Sequence, residues 1–315
     1  MLTIIIASLQ PGEGRTTAAA GLGARLAEEG RTVRLLRLRA STGADAAAED
    51  DARTLAAVPG CASPGSPVGE QEAQAQASEA GAVCLIEAPP GLSAEPAARL
   101  SARIILVSAQ ADDRRIAELA AAAERLGDAL LGVVVTRVPE RRLASVRANL
   151  AGRGLPCLAA LPEDRLLAGP TIREMAEALH ASRLAEGGEE DEAVEFVMLG
   201  PISSDPGQPY FLQHGSKAVV QRFDKMDLHL AALATSPDCL ILTGGQQPSP
   251  YLLDRVRGSD GETSVLLSPE ETVRTVELLD ELYGRSRFSG RRKLARAVEL
   301  FRRHLNLPEI TKALP

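Results

Sequence analysis

The sequence predicts a doubly wound α/β protein, a parallel sheet with helices on both faces, followed by a second, smaller α/β domain. Three observations carry this. Short, nearly continuous apolar runs alternate with longer helical patterns, the arrangement expected of parallel strands buried on both faces. The first run leads into a glycine-containing turn that opens a helix. Of the 315 residues, 45% are hydrophobic but only 3% aromatic, with no Trp. The core is therefore aliphatic and helix-rich, in a chain long enough for two domains.

The strand-like runs of the first domain are LTIIIA at 2–7, VRLLRL at 33–38, VCLIE at 83–87, RIILVS at 103–108, LGVVVT at 131–136 and LPCLAAL at 155–161. A helix from Thr16 to about Glu29 follows the first, and helical segments follow the third, fourth and fifth. Residues 40–80 are rich in Ala, Ser, Gly, Pro, Gln and acids without a sustained apolar period. They read as a surface excursion with some helix, or as a mobile segment over a ligand site.

The acidic stretch LAEGGEEDEA at 184–193 has little to bury and is the expected linker. Beyond it the alternation resumes: strands at 195–200, 217–221, 239–243 and 264–267, with helices at 227–233, 250–256 and 269–282. The expected division is 1–183 for the first domain, 184–193 for the linker, 194–283 for the second domain and 284–315 for a C-terminal helix and tail. That last helix, GRRKLARAVELFRRHLNL, is basic and amphipathic, with Leu294, Val298, Phe301 and Leu305 on one stripe. The stripe is expected to dock on a domain or a partner subunit, its basic residues forming the solvated face.

The net charge of -7 argues against a nucleic-acid binder. Cys61, Cys84, Cys157 and Cys239 are too scattered for a metal site or a disulfide framework, and read as reduced thiols. His180, His214, His229 and His304 are equally dispersed. No segment has the length and apolarity of a membrane span, and the N-terminus lacks a signal-peptide pattern, so a cytoplasmic protein without membrane contact is expected.

The stretch Ser8-Leu9-Gln10-Pro11-Gly12-Glu13-Gly14-Arg15-Thr16-Thr17 carries the chemistry. In a phosphate loop, glycines turn backbone N–H groups toward the anion and the next helix presents its positive end. Against the pattern G-x-x-x-x-G-K-[ST], Leu9 stands at the first glycine, Gly14 at the second, Arg15 at the lysine and Thr16 at the Mg-binding hydroxyl. Gly12, Glu13, Gly14, Arg15, Thr16 and Thr17 are the expected phosphate contacts. Arginine keeps the charge but has a larger, planar fork, and Glu13 places a carboxylate inside the loop. Glu87, at the end of an apolar run, either holds Mg together with Thr16 or caps the loop. Asp45, Asp50 and Asp51 are candidates for a second acidic ligand.

The loop aligns without gaps to the S-x-K-G-G-x-G-K-T-T loop of partition-type ATPases and the dethiobiotin synthetase superfamily, with Gln10 and Arg15 replacing both lysines. Taken with IEAPPGL, VVVTRVPE and LPEDRLLAGPTIREM, it resembles the dethiobiotin-synthetase-like P-loop domain at the N-terminus of long bacterial phosphotransacetylases. Where that family carries an Asn expected to recognise a base, this chain has Thr136 and Arg137; Asp164 matches the family pattern. From Phe196 to about Leu282 the chain is similar to a DRTGG domain. Asp224 and Lys225 stand at that domain's Asp-Arg pair, and Thr243, Gly244 and Gly245 at its Thr-Gly-Gly turn. That turn either offers N–H groups to an anion beside Lys225, or is simply a turn that needs positive φ.

Three readings follow from the resemblance. The first is a regulatory protein that binds a nucleotide (ATP with Mg, or another) or a phosphorylated small molecule, acting through a homo-oligomer. The second is an ATP-dependent ligase or NTPase of dethiobiotin synthetase type, with Arg15 in the lysine's role and Thr16 and Glu87 on Mg. The third is a structural assembly protein without a ligand. The long relatives continue into a phosphotransacetylase catalytic domain that finds no counterpart in these 315 residues, so acetyl transfer is not expected of them.

Overall fold

The computed structural model describes residues 2–40, 46–78, 81–91, 95–201, 210–258 and 262–312. The chain forms two compact units, Met1–Asp164 with Leu294–Pro315, and Arg165–Lys293.

The first unit runs β1 (Leu2–Ser8), α1 (Arg15–Glu28), β2 (Thr32–Arg37), α2 (Ala46–Ala56), β3 (Cys61–Ala62), α3 (Glu70–Ala77), β4 (Ala82–Glu87), α4 (Glu95–Arg99), β5 (Arg103–Ala109), α5 (Asp113–Leu126), β6 (Leu130–Val138), α6 (Leu143–Gly152) and β7 (Cys157–Pro162). Its seven strands pair in parallel in the order β3-β2-β4-β1-β5-β6-β7. Ile4, Ile5, Ile6, Leu85, Ile86, Ile104, Leu106 and Val133 are buried, as strands covered on both faces require. The 40–80 excursion contains α2, α3 and the edge strand β3. Asp45 lies outside the described residues.

The second unit runs α7 (Arg165–Ala168), α8 (Ile172–Ala178), β8 (Ser182–Ala185), β9 (Phe196–Leu199), β10 (Lys217–Arg222), α9 (Met226–Leu233), β11 (Cys239–Thr243), α10 (Pro250–Arg257), β12 (Ser264–Leu267) and α11 (Thr272–Leu282). The strands order β8-β12-β11-β10-β9, parallel except for β8. Ala218, Val220 and Ile241 pack with Met175 of α8, Leu179 at its C-terminal end and Leu279 of α11. The alternate residues Val219, Leu240 and Leu242 pack with Ala232, Leu252 and Val256 from α9 and α10. The period of two sends successive side chains to opposite helical layers.

The expected boundaries shift. Residues 184–193 do not form a linker: they begin in β8, and their acids pair with arginines of the preceding elements. Glu190 lies 2.7 Å from Arg183 and 3.1 Å from Arg173, and Asp191 2.8 Å from Arg173. Opposite charge gives this polar segment a fixed place that its lack of apolar residues hides. The division falls instead after Asp164.

The C-terminal segment comprises α12 (Arg291–His304) and α13 (Leu307–Thr311). From Leu294 onward it belongs to the first unit, so its stripe docks on the chain's own domain. Leu294, Ala297, Leu300 and Phe301 are buried. The Phe301 ring lies against Gly21 of α1, where an added Cβ would come within 2.2 Å of it. Arg302 pairs with Glu28, and Arg296 Nε donates to Asp164 at 2.7 Å. Asp164 thereby serves as an anchor for α12.

Gly21→Ala tests this packing. In a helix the substitution alone gains about 0.5–1 kcal/mol, whereas forcing a methyl into a filled site costs about 1–3 kcal/mol. Urea denaturation is expected to show net destabilisation, reversed when Phe301→Leu is added. An increase in stability from Gly21→Ala alone would contradict the close approach.

Candidate functional site

The loop between β1 and α1 leaves the C-terminal end of the sheet's central strand. Gly12 and Gly14 take φ of +74° and +90°, backbone that L side chains rarely adopt. Gly14 also faces Thr136, whose Cγ2 would be 3.2 Å from a Cβ there. The loop is held from β6: Thr136 Oγ1 donates to Glu13 O at 3.0 Å, and Arg137 Nη2 to Gly12 O at 2.9 Å. The pair that replaces the expected base-recognition Asn thus shapes the loop.

Glu13 turns away from the role of a repelling charge. Its Oε2 accepts from Gln10 N–H at 3.0 Å, and its Oε1 lies 2.9 Å from Arg115 Nη2, which donates to Gln10 Oε1 at 3.0 Å. The buried carboxylate is a staple across the loop, neutralised by Arg115. No side chain caps α1 at Gly14. Ala18 N–H donates to Gly14 O at 2.9 Å as the first turn of the helix closes. The first four N–H groups of a helix have no partner within it; here they belong to Gly14, Arg15, Thr16 and Thr17. Two left-handed glycines before an uncapped helix start form a cradle of the backbone geometry that suits an anion.

Beside the cradle, five side chains meet at the ends of β2 and β4. Thr16 Oγ1 is 3.1 Å from both Asp51 Oδ1 and Glu87 Oε1. Arg37 and Glu87 are register partners on adjacent strands. Arg37 Nε lies 3.6 Å from Glu87 Oε1 and 3.4 Å from Asp51 Oδ2, while its Nη1 donates to Leu38 O at 2.8 Å. Arg15 Nη1 donates to Ala88 O at 2.8 Å, with its Nε 3.9 Å from Glu87 Oε1. The side chain at the lysine position is thus engaged at the end of β4.

Glu87 is 0% exposed. Burial, reinforced by Asp51, pushes its carboxyl up to about 7 against the pull of Arg37 and Arg15. Burial also raises Asp51 and lowers Arg15. A hydroxyl has one hydrogen, so Thr16 satisfies both carboxyls only when one of them carries a proton. Glu87 Oε2 has no hydrogen-bond partner among the described residues, which suits a protonated carboxyl.

The oxygens of Thr16, Asp51 and Glu87 are of the type that holds Mg. The two guanidinium groups already stand beside those carboxylates, however, Arg37 Nε at 3.4 Å from Asp51 and 3.6 Å from Glu87 and Arg15 Nε at 3.9 Å from Glu87, and Arg37 is 3% exposed. The residues present do not fit a divalent cation.

In the second unit, Asp224, Lys225 and the Thr243-Gly244-Gly245 turn gather at the ends of β10 and β11, where Arg222 and Thr243 are in register. Gly244 and Gly245 have φ of +95° and +68°, but their N–H groups donate to Glu270 O at 2.8 Å and Ser268 O at 3.1 Å. The turn reading of these glycines has the geometry; the anion reading lacks its donors. Asp224 pairs with Arg222 at 3.1 Å, and Lys225 is exposed. Thr243 Oγ1 shares a hydrogen bond of 2.7 Å with Thr272 Oγ1.

Residues 174–282 match the DRTGG domain family. The match begins within α8, earlier than the expected 194, and takes in the acidic segment and β8. Over 164 residues, 49% of its length, the chain is 30% identical to a phosphate acetyltransferase of Nitratidesulfovibrio vulgaris, and spans 23% of that protein. The N-terminal half carries this match. Among solved structures, the CBS and DRTGG domains of the Clostridium perfringens pyrophosphatase regulatory region, complexed with its activator diadenosine tetraphosphate, give a TM-score of 0.31 at 11% identity over 45% of this chain and 70% of that one. MinD of Aquifex aeolicus gives 0.39 at 16% identity over 53% and 84%.

Beyond the turn, the DRTGG domain buries Gln221 and His229, whose Oε1 and Nδ1 lack hydrogen-bond partners among the described residues. Sequence reasoning missed both. In the first unit it also missed Arg37 and Arg115. Arg37 carried little signal, because Arg34 interrupts the same strand, TVRLLR, and only the fold separates the buried arginine from the half-buried one. Asp51 was one of three open candidates, and its spacing from Ala48 and Leu55 on the buried face of α2 singles it out. Arg115, beside the buried Ile116, carried none.

The raised Glu87 carboxyl has a signed consequence. A folded value above the ordinary 4.5 means that the stability gained from protonated Glu87 is complete below 4.5 and is lost as pH rises through about 7. Glu87→Gln mimics the protonated form, so denaturant titrations should show it gaining on the wild type across that window, by at most about 1.4 kcal/mol per pH unit. A difference that does not change with pH would contradict the assignment.

Proposed function

We propose that the protein is a regulatory module whose first unit binds the phosphates of a nucleotide or of another phosphorylated small molecule, and whose DRTGG domain couples that binding to a partner or to a second copy of the chain. The observation that carries the reading is the cradle: Gly12 and Gly14 in left-handed backbone before a helix start without a side-chain cap. The similarity of the N-terminal half to part of a phosphate acetyltransferase and the DRTGG match support it.

Binding is favoured over phosphoryl transfer for a physical reason. Transfer depends on a cation preorganised at the phosphate that moves, whereas Arg15 donates to Ala88 O and stands by Glu87. Its charge contributes to the field of the site, but its fork is directed at the protein.

Isothermal titration with ATP, ADP, GTP and AMP tests the reading. At least one is expected to bind with micromolar to millimolar affinity, and Gly14→Ala, strained at φ +90° and pressed on Thr136, is expected to weaken it at least about tenfold. Absence of binding at millimolar concentration would leave the assembly reading. Sustained ATP hydrolysis abolished by Arg15→Ala would establish the enzyme reading instead.

A further inference from the structure

We infer that Arg37, together with Arg15, takes the place of the divalent cation at this site, so that the chain binds its phosphate ligand without metal and excludes metal from the carboxylates. The second half of this inference concerns the protein alone; the first rests on the phosphate-binding reading above.

The argument is one of position and charge. Both guanidinium groups approach the same oxygen, Glu87 Oε1, at 3.6 and 3.9 Å, and that oxygen is also the one in contact with Thr16. Together they bring two positive charges, as one divalent ion would, against the two carboxyls of Asp51 and Glu87. Their charge is fixed, since a guanidinium does not release its proton at physiological pH.

Arg37 cannot step aside. Its backbone is in register with Glu87 where the two adjacent strands end, its Nη1 is held by Leu38 O, and the side chain is 3% exposed. An ion coordinated by Glu87 would push against the charge of a guanidinium that is 3% exposed and held by Asp51 and Leu38 O, and would take from it one of its two carboxyl partners. Mg, which gives up its own water reluctantly, is poorly placed to force that exchange. Phosphate, in contrast, meets a cluster whose acids are already neutralised and whose neighbouring helix start is positive.

The test is a Mn2+ titration of the full chain followed by electron paramagnetic resonance, with calorimetry of ADP in excess Mg and in EDTA. The wild type is expected to show no stoichiometric Mn2+ binding at millimolar concentration, and an ADP affinity that is the same in both conditions within about twofold. Arg37→Met is expected to gain a single Mn2+ site that Arg37→Met/Glu87→Gln loses, while Arg37→Lys retains exclusion. One Mn2+ bound by the wild type and lost in Glu87→Gln would overturn the inference, as would ADP binding at least about tenfold weaker in EDTA. If ADP binds in neither condition, the nucleotide form of the proposed function fails and metal-free ADP binding falls with it, while the Mn2+ arm still decides metal exclusion. The wild-type titration decides exclusion even where Arg37→Met does not fold.

Discussion

A carboxyl with no exposure to water, Glu87 at the end of β4, sets the terms for everything around the loop. Burying such a group is costly unless it is paired, protonated or both. The structure uses both routes. Arg37 comes from the neighbouring strand in register, Arg15 from the first turn of α1, and Thr16 sits between the two acids. The excursion from 40 to 80 gains a structural purpose in this light: its helix α2 brings Asp51 to complete the cluster.

The same organisation separates two properties that a phosphate loop usually combines. The loop frame proposed to receive an anion is braced from outside, by Thr136 and Arg137 on β6 and by the Glu13–Arg115 staple. The residue that would act on a transferred phosphate has instead become part of the sheet-end cluster. Replacing lysine by arginine makes this arrangement accessible, because one planar fork can serve the Ala88 carbonyl and stand by Glu87 simultaneously.

Much of this was legible in the sequence, for identifiable reasons. The runs at 2–7, 83–87, 103–108 and 239–243 are strands because continuous aliphatic segments of that length have no other way to be buried between helices. The loop declared itself through glycines at fixed spacing. What stayed hidden were pairings that follow no local period: Arg37 with Glu87 and Glu13 with Arg115, far apart in sequence, and the acids of 184–193 with Arg173 and Arg183 just upstream. Local composition marked that last segment as a linker, because ion pairing leaves no periodic trace. The Thr-Gly-Gly turn shows the converse, a motif that suggested free N–H groups while the fold supplies Glu270 and Ser268 as acceptors.

The central claim is that the start of α1 is the anion-binding surface of the protein. Amide nuclear magnetic resonance of the full chain during an ADP titration tests it most directly. The account predicts that the largest shifts fall on the N–H signals of Gly14, Arg15, Thr16 and Thr17, with those of Gly244 and Gly245 unmoved. Shifts centred on the DRTGG turn, with the α1 amides unchanged, would contradict it.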